Sequence, residues 1–167
     1  MRIISAEIIG IALIQELYLY QNRPLGNTRG YRTFSPGEGK SSAAIVIPDN
    51  TIDPLLITPL SDNYAVLLEI SNGHTRFHAA SIYLDYNEPI ENNIKPLEKI
   101  IKFTKGTKLI IAMDSNSRST TWHEVLTNSR DKLLGRLLSK QPIAYNQRRQ
   151  CKDKQKSFKQ YRFNYRQ

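Results

Sequence analysis

The sequence predicts an α+β, or layered α/β, fold in one domain. Three observations predict it: short, continuously apolar runs of strand length, an Asn-Gly pair between two of them, and a segment whose apolar residues recur at helical spacing. A length of 167 residues suits one domain, and 40% apolar content supplies a core.

The elements follow in order. Ile8 to Ile14 is an apolar run closed by Gln15-Glu16, a pattern that suits a strand buried on both faces. Asn22 to Lys40 is rich in Gly, Pro, Asn and Ser and reads as a loop. Ala43 to Ile47 is a second strand, stopped by Pro48-Asp49-Asn50. Tyr64 to Ile70 is a third, followed by Ser71-Asn72-Gly73-His74, where Asn-Gly accommodates the positive φ angles of a tight hairpin turn. Arg76 to Leu84 is a fourth strand that pairs back on the third. Ile90, Ile94, Leu97 and Ile101 then form one apolar helical stripe. Pro89 suits a first helical position, while Glu88 and Glu91 at one end and Lys102 and Lys105 at the other complement the helix dipole before Gly106. Pro96 conflicts with one straight helix: either it kinks the helix or it starts a second. Lys108 to Met113 is a fifth strand, ending at Asp114. Leu133, Leu134, Leu137 and Leu138 mark a last helix, with Asn128 suited to cap it.

Several classes are excluded. No run approaches the roughly 18 consecutive apolar residues of a membrane span, and Met1-Arg2-Ile3-Ile4 does not open a signal peptide. Cys151 is the only cysteine, which excludes an intrachain disulfide and leads us to expect a reducing, intracellular setting. Gly37-Glu38-Gly39-Lys40-Ser41 resembles the end of a P-loop, but Phe34 stands where the first Gly belongs and a strand follows instead of a helix. His74 and His78 straddle a turn and a strand without Cys or acid partners for zinc.

The net charge of +9 is unevenly placed. Residues 147–167 hold eight basic side chains (Arg148, Arg149, Lys152, Lys154, Lys156, Lys159, Arg162, Arg166) against one acid, Asp153, so this tail is +7 and residues 1–146 carry +2. Phe158, Tyr161, Phe163 and Tyr165 are interleaved with the basic residues. Such a segment holds phosphates by charge and bases by stacking, or is simply a disordered, solvated end.

Three strands end in polar groups of one kind: Glu16 after the first, Tyr83 and Asp85 around the end of the fourth, Asp114 and Asn116 after the fifth. Carboxylates held at a sheet rim either cap strand ends or bind Mg²⁺, a hard cation that takes one or two carboxylates and keeps several waters. A carboxylate left free of metal can orient or deprotonate a water.

The segment from Leu109-Ile110-Ile111-Ala112-Met113-Asp114-Ser115-Asn116 through Ser117-Arg118-Ser119-Thr120-Thr121-Trp122-His123 resembles the signature of the endonuclease domain of non-LTR, LINE-type retrotransposons: an apolar strand, Asp-x-Asn, a Ser/Arg-rich stretch and a Trp. Ala12-Leu13-Ile14-Gln15-Glu16 resembles that family's Gln-Glu strand, Ser81-Ile82-Tyr83-Leu84 its Val-Tyr strand, and Asn128-Ser129-Arg130 with the Leu-rich helix its continuation. The motifs stand in the family's order and cover about residues 6–146. The resemblance implies the endonuclease/exonuclease/phosphatase fold, two β-sheets face to face with helices outside. It also implies Mg²⁺- or Mn²⁺-dependent cleavage of phosphodiester bonds in DNA, a fused reverse transcriptase as partner, and nuclear location. By the same resemblance, Glu16 is a metal ligand and Asp114 positions or activates water. Asn116 holds the scissile phosphate or the water, and Tyr83 stabilises developing charge. Ser115, Arg118 and Ser119 contact the substrate backbone, whereas Trp122 and His123 pack.

The sequence departs from the family at both ends. The strand bearing an Asn before the Gln-Glu strand has no counterpart, and neither do the later Asp and the Ser-Asp-His motif; Ser61-Asp62-Asn63 lies too early. Leu17 stands where the family usually has Pro, and Asp131 where it often has Gly. We therefore expect an incomplete sandwich over residues 1–146, a truncated domain with little or no activity, and a basic tail over 147–167. The alternative is a non-catalytic nucleic-acid-binding protein that uses the tail.

Overall fold

The structure, a computed structural model, describes residues 10–16, 19–20, 23–24, 30–35, 41–71, 73, 75–117 and 129–139. Its strands are β1 (Ala12–Gln15), β2 (Leu19–Tyr20), β3 (Arg23–Pro24), β4 (Arg32–Phe34), β5 (Ala43–Ile47), β6 (Asp53–Leu56), β7 (Ala65–Ser71), β8 (Arg76–Tyr83) and β9 (Leu109–Asp114). Its helices are α1 (Ile90–Phe103) and α2 (Ser129–Ser139), and Thr58–Leu60 is a short 3₁₀ turn.

One sheet has the order β1-β5-β4 and a second the order β6-β7-β8-β9; β2 and β3 form a separate two-stranded ribbon. All pairings are antiparallel except β8 with β9, which run parallel because α1 carries the chain back between them. The expected class is met: two sheets and two helices in a layered α+β arrangement.

Two apolar layers hold it together. The alternation of β7 sends Val66, Leu68 and Ile70 to one face, where they meet Ala43, Ile45 and Ile47 of β5, Ala79 of β8, and Leu13 and Phe34 of the flanking strands. The opposite face presents Leu67, Ala80, Ile82, Ile111 and Met113 to Ile90, Ile94, Leu97, Ile100 and Ile101 of α1 and to Leu134 of α2. The second sheet is thus covered on both sides, which is why its strands read as continuous apolar runs. Leu97 is fully buried in the helix layer, so Leu97→Ala should lower unfolding free energy by about 2–5 kcal/mol. A shift of the urea midpoint at unchanged slope measures it; an unchanged midpoint would mean that α1 is not docked.

Two expectations differ from what is seen, one strand was unforeseen, and the second-helix alternative at Pro96 is not met. The first strand starts at Ala12 and is only half-buried, because β1 is the edge of its sheet and pairs with β5 alone; Ile8 and Ile9 lie outside the described residues. The expected loop over residues 22–40 contains a real strand, β4, which pairs with β5 through Arg32↔Ile47, Thr33↔Val46 and Phe34↔Ile45. The strand β6 was not among the expected elements; Pro54 sits inside it, and the edge position of β6 tolerates a residue that cannot donate to the ladder. Pro96 lies inside one continuous helix, so α1 is neither split nor restarted there. The apolar stripe of α1 is buried as expected, and Pro89 is its N-cap.

Candidate active site

The end of β8 and the end of β9 are adjacent by register. Tyr83 pairs with Asp114, the last pair of the parallel ladder, and Leu84 N donates to Asp114 O at 2.8 Å just beyond it. The chain then turns: Asn116 N donates to Asp114 Oδ1 at 3.1 Å, and Asn116 Nδ2 donates to Leu84 O at 2.9 Å. Asn116 adopts a left-handed φ of 46° to do so.

The first sheet delivers Glu16 to the same rim. Gln15 Nε2 crosses between the sheets to Ser81 Oγ at 2.8 Å and Ala112 O at 3.2 Å, while Ser81 Oγ donates to Ile14 O at 2.8 Å. These bonds pin the end of β1 two residues short of Tyr83 and of Asp114. Glu16 follows with φ 53° and its N–H on Ser42 O at 2.8 Å; its side chain is exposed. Glu16 and Asn116 are the only non-glycine residues with positive φ among the described residues. Such a conformation costs of order 1 kcal/mol or more and persists where the surroundings over-determine it.

Tyr83 links the groups electrostatically. Burial pushes its hydroxyl above the ordinary phenol value, a hydrogen bond with the Asn116 side chain works the other way, and the carboxylates of Glu16, Asp85 and Asp114 push it up again. The phenol therefore stays protonated at neutral pH and remains a donor. Its ring stacks on Tyr64, with centroids 6.4 Å apart and planes at 16°.

Behind the rim, the loop after Tyr83 is clamped. Arg130 of α2 is 9% exposed and donates from Nη2 to Asp85 O and from Nη1 to Glu88 O, both at 2.9 Å; Asn93 Nδ2 donates to Asp85 O at 2.8 Å. Sequence reasoning matched Arg130 only as part of a motif and did not foresee this clamp. Nor did it foresee the bridge made by Gln15. Each is a long polar side chain at the end of an apolar pattern, Gln15 closing β1 and Arg130 opening α2, and that was the available signal for both.

The structure thus brings Glu16, Tyr83, Asp114 and Asn116 to one rim from three strands. Ser115 is 5% exposed, with Oγ 2.6 Å from Ser117 Oγ. Arg118, Ser119, Trp122, His123, the cap Asn128 and the whole basic tail lie outside the described residues. Among the described residues no three His, Cys, Asp or Glu side chains form a metal cage. Glu16 and Asp114 are carboxylates at this rim, and Mg²⁺ is a cation that takes one or two carboxylates and completes its shell with water and phosphate oxygen.

A different titratable group sits at the far end of β8, about 16 Å from Tyr83 by strand rise. His78 is buried, with Nδ1 2.9 Å from Thr107 Oγ1, Nε2 3.7 Å from Glu69 Oε2, and its ring edge-on to Phe103. Desolvation holds its pKa below the ordinary 6.5; Glu69 opposes this and Arg76 adds to it. The unfolded chain then takes up the proton first. The contribution of neutral His78 to stability is complete above about pH 6.5 and falls as pH drops from there toward the folded-state value. Urea midpoints should decline over that window in the parent chain and flatten in His78→Phe; equal declines would assign the effect elsewhere.

Two facing sheets, with helices packed on the outer side of one of them and polar groups gathered at the strand ends, make a layered sandwich. Among solved structures, the endonuclease domain of TRAS1, a telomere-specific non-LTR retrotransposon, is similar to this chain with a TM-score of 0.73 at 24% identity. The likeness covers 84% of this chain and 62% of that one, so the chain spans less than two thirds of that structure's length. The resemblance read from the motifs therefore holds at the level of fold. No family model matches the chain, and no curated protein sequence matches it. No helix among the described residues is long and apolar enough to cross a membrane.

Proposed function

We propose that this chain is a DNA endonuclease domain of the retrotransposon type that engages a phosphodiester at the Glu16–Tyr83–Asp114–Asn116 rim and cleaves it only slowly. The observation that carries this reading is the convergence on Tyr83: Asn116 bonds its hydroxyl, and Glu16 and Asp114 both act on it, on a fold shared with an endonuclease domain. Glu16 is suited to hold Mg²⁺, which when bound polarises a phosphoryl oxygen. Tyr83 donates a hydrogen bond to a phosphate oxygen and stabilises the charge that develops there, Asn116 orients the phosphate or water, and Asp114 accepts a proton from the attacking water.

Slowness follows from what faces the rim. The chain has three histidines; His78 is at the far end of β8, and His74 and His123 lie outside the described residues. Among the described residues no histidine stands by Tyr83 to stabilise charge on the phosphate. The second reading, non-catalytic nucleic-acid binding, is favoured by the tail's charge of +7. A plasmid-nicking assay with Mg²⁺ or Mn²⁺ and the Asp114→Ala variant separates the two. Slow nicking that vanishes in the variant supports the endonuclease; nicking absent from both chains, with binding intact, supports the other.

A further inference from the structure

We propose that Tyr64 is a base-stacking platform, its exposed ring receiving an unpaired nucleobase of the DNA strand whose phosphate lies at the Tyr83 hydroxyl. This rests on the endonuclease reading above and goes beyond it, because it assigns a contact to the nucleoside rather than to the reacting phosphate.

The first ground is exposure. Tyr64 is 42% exposed, whereas the next four residues, Ala65 to Leu68, are at most 1% exposed and supply the core. The second is a rigid mount. The backbone N–H groups of Tyr64 and Ala65 both donate to Asp62 Oδ1, at 2.8 and 2.9 Å, and Asp62 N donates to Ala65 O at 2.7 Å. Ser61 Oγ donates to Ile57 O and accepts from Leu67 N, both at 3.0 Å, and Tyr64 O accepts from Tyr83 N at 2.8 Å. A ring held this way loses little freedom when a ligand covers it.

The third ground is orientation. The Tyr64 and Tyr83 rings lie within 16° of parallel at 6.4 Å, so a flat ligand laid on Tyr64 extends a stack that already exists. The two tyrosines present an aromatic face next to a polar end, where the Tyr83 hydroxyl meets Asn116. A nucleotide has the same layout, a flat base joined to a phosphodiester. Tyrosine carries no charge, so this contact works by stacking, which is sequence-tolerant and worth enough per base to move affinity about tenfold. It is also separable from the tail, whose binding is ionic and falls steeply with salt.

The test uses the full chain in Ca²⁺ buffer and fluorescence anisotropy with two single-stranded probes of equal length, oligo(dT) and an oligomer of abasic deoxyribose phosphates. Tyr64→Ala should weaken oligo(dT) binding about tenfold at every salt concentration, leaving the salt slope unchanged. Tyr64→Phe should stay within about twofold of the parent, since stacking needs only the ring. Parent and Tyr64→Ala should bind the abasic oligomer equally. Unchanged oligo(dT) affinity in Tyr64→Ala, or an equal loss on both probes, overturns the proposal while leaving DNA binding in place. If the parent binds neither probe, the endonuclease reading falls first and this proposal with it.

Discussion

Supercoiled plasmid incubated with the purified chain and Mg²⁺ is expected to be nicked about 10² to 10³ times more slowly than with the TRAS1 endonuclease domain. Phosphodiester cleavage needs a metal, an oriented nucleophile and groups that stabilise charge on the phosphate. On the reading proposed above, Glu16 and Asp114 serve the first two, and both act on Tyr83. The third need then falls to Tyr83 and Asn116, with no histidine among the described residues beside them. Losing one stabilising donor typically costs 10² to 10³ in rate, and losses within one site do not simply add. The fraction of nicked plasmid against time gives the rate. Nicking as fast as that of the comparison domain, and abolished in Asp114→Ala, would show that the described rim is sufficient.

Removing residues 147–167 is expected to produce the largest change in affinity. The segment carries eight of the 24 Lys and Arg residues. Each duplex phosphate neutralised contributes a slope of about −0.9 in log K against log salt, so losing most of eight contacts flattens that slope by several units and weakens binding whatever the DNA sequence. Titrations of parent and shortened chain at stepped salt concentrations measure both quantities. An unchanged slope would mean that the tail is solvated and inert toward DNA.

The layers of this fold were legible wherever one local rule dominated. The stripe Ile90, Ile94, Leu97, Ile101 announces α1, and the runs at Ala43 and Leu109 announce β5 and β9, because burial on one or both faces leaves a direct mark on the pattern. β4 and β6 were hidden because each is short and belongs at an edge, where pairing to a neighbour outweighs composition. At Pro96 the chain continues as one helix, since the packed face of α1 on the sheet outweighs one lost hydrogen bond. At the rim, Glu16, Tyr83, Asp114 and Asn116 could be named from motifs, but their convergence depends on long-range contacts. Gln15 on Ser81 spans 66 residues and Arg130 on Asp85 spans 45, separations at which no local pattern speaks.

The loop from Asp85 to Glu88 is gripped by its carbonyl groups: Arg130 and Asn93 bind the oxygens of Asp85 and Glu88, and Asn116 binds that of Leu84 just before them. Every residue type offers the same carbonyl, so the grip is indifferent to side-chain identity along the loop. Tyr86, Asn87 and Glu88, all exposed, can drift in sequence without displacing Tyr83. Descendants of this chain are free to diversify the exposed face of this loop while inheriting an unaltered rim.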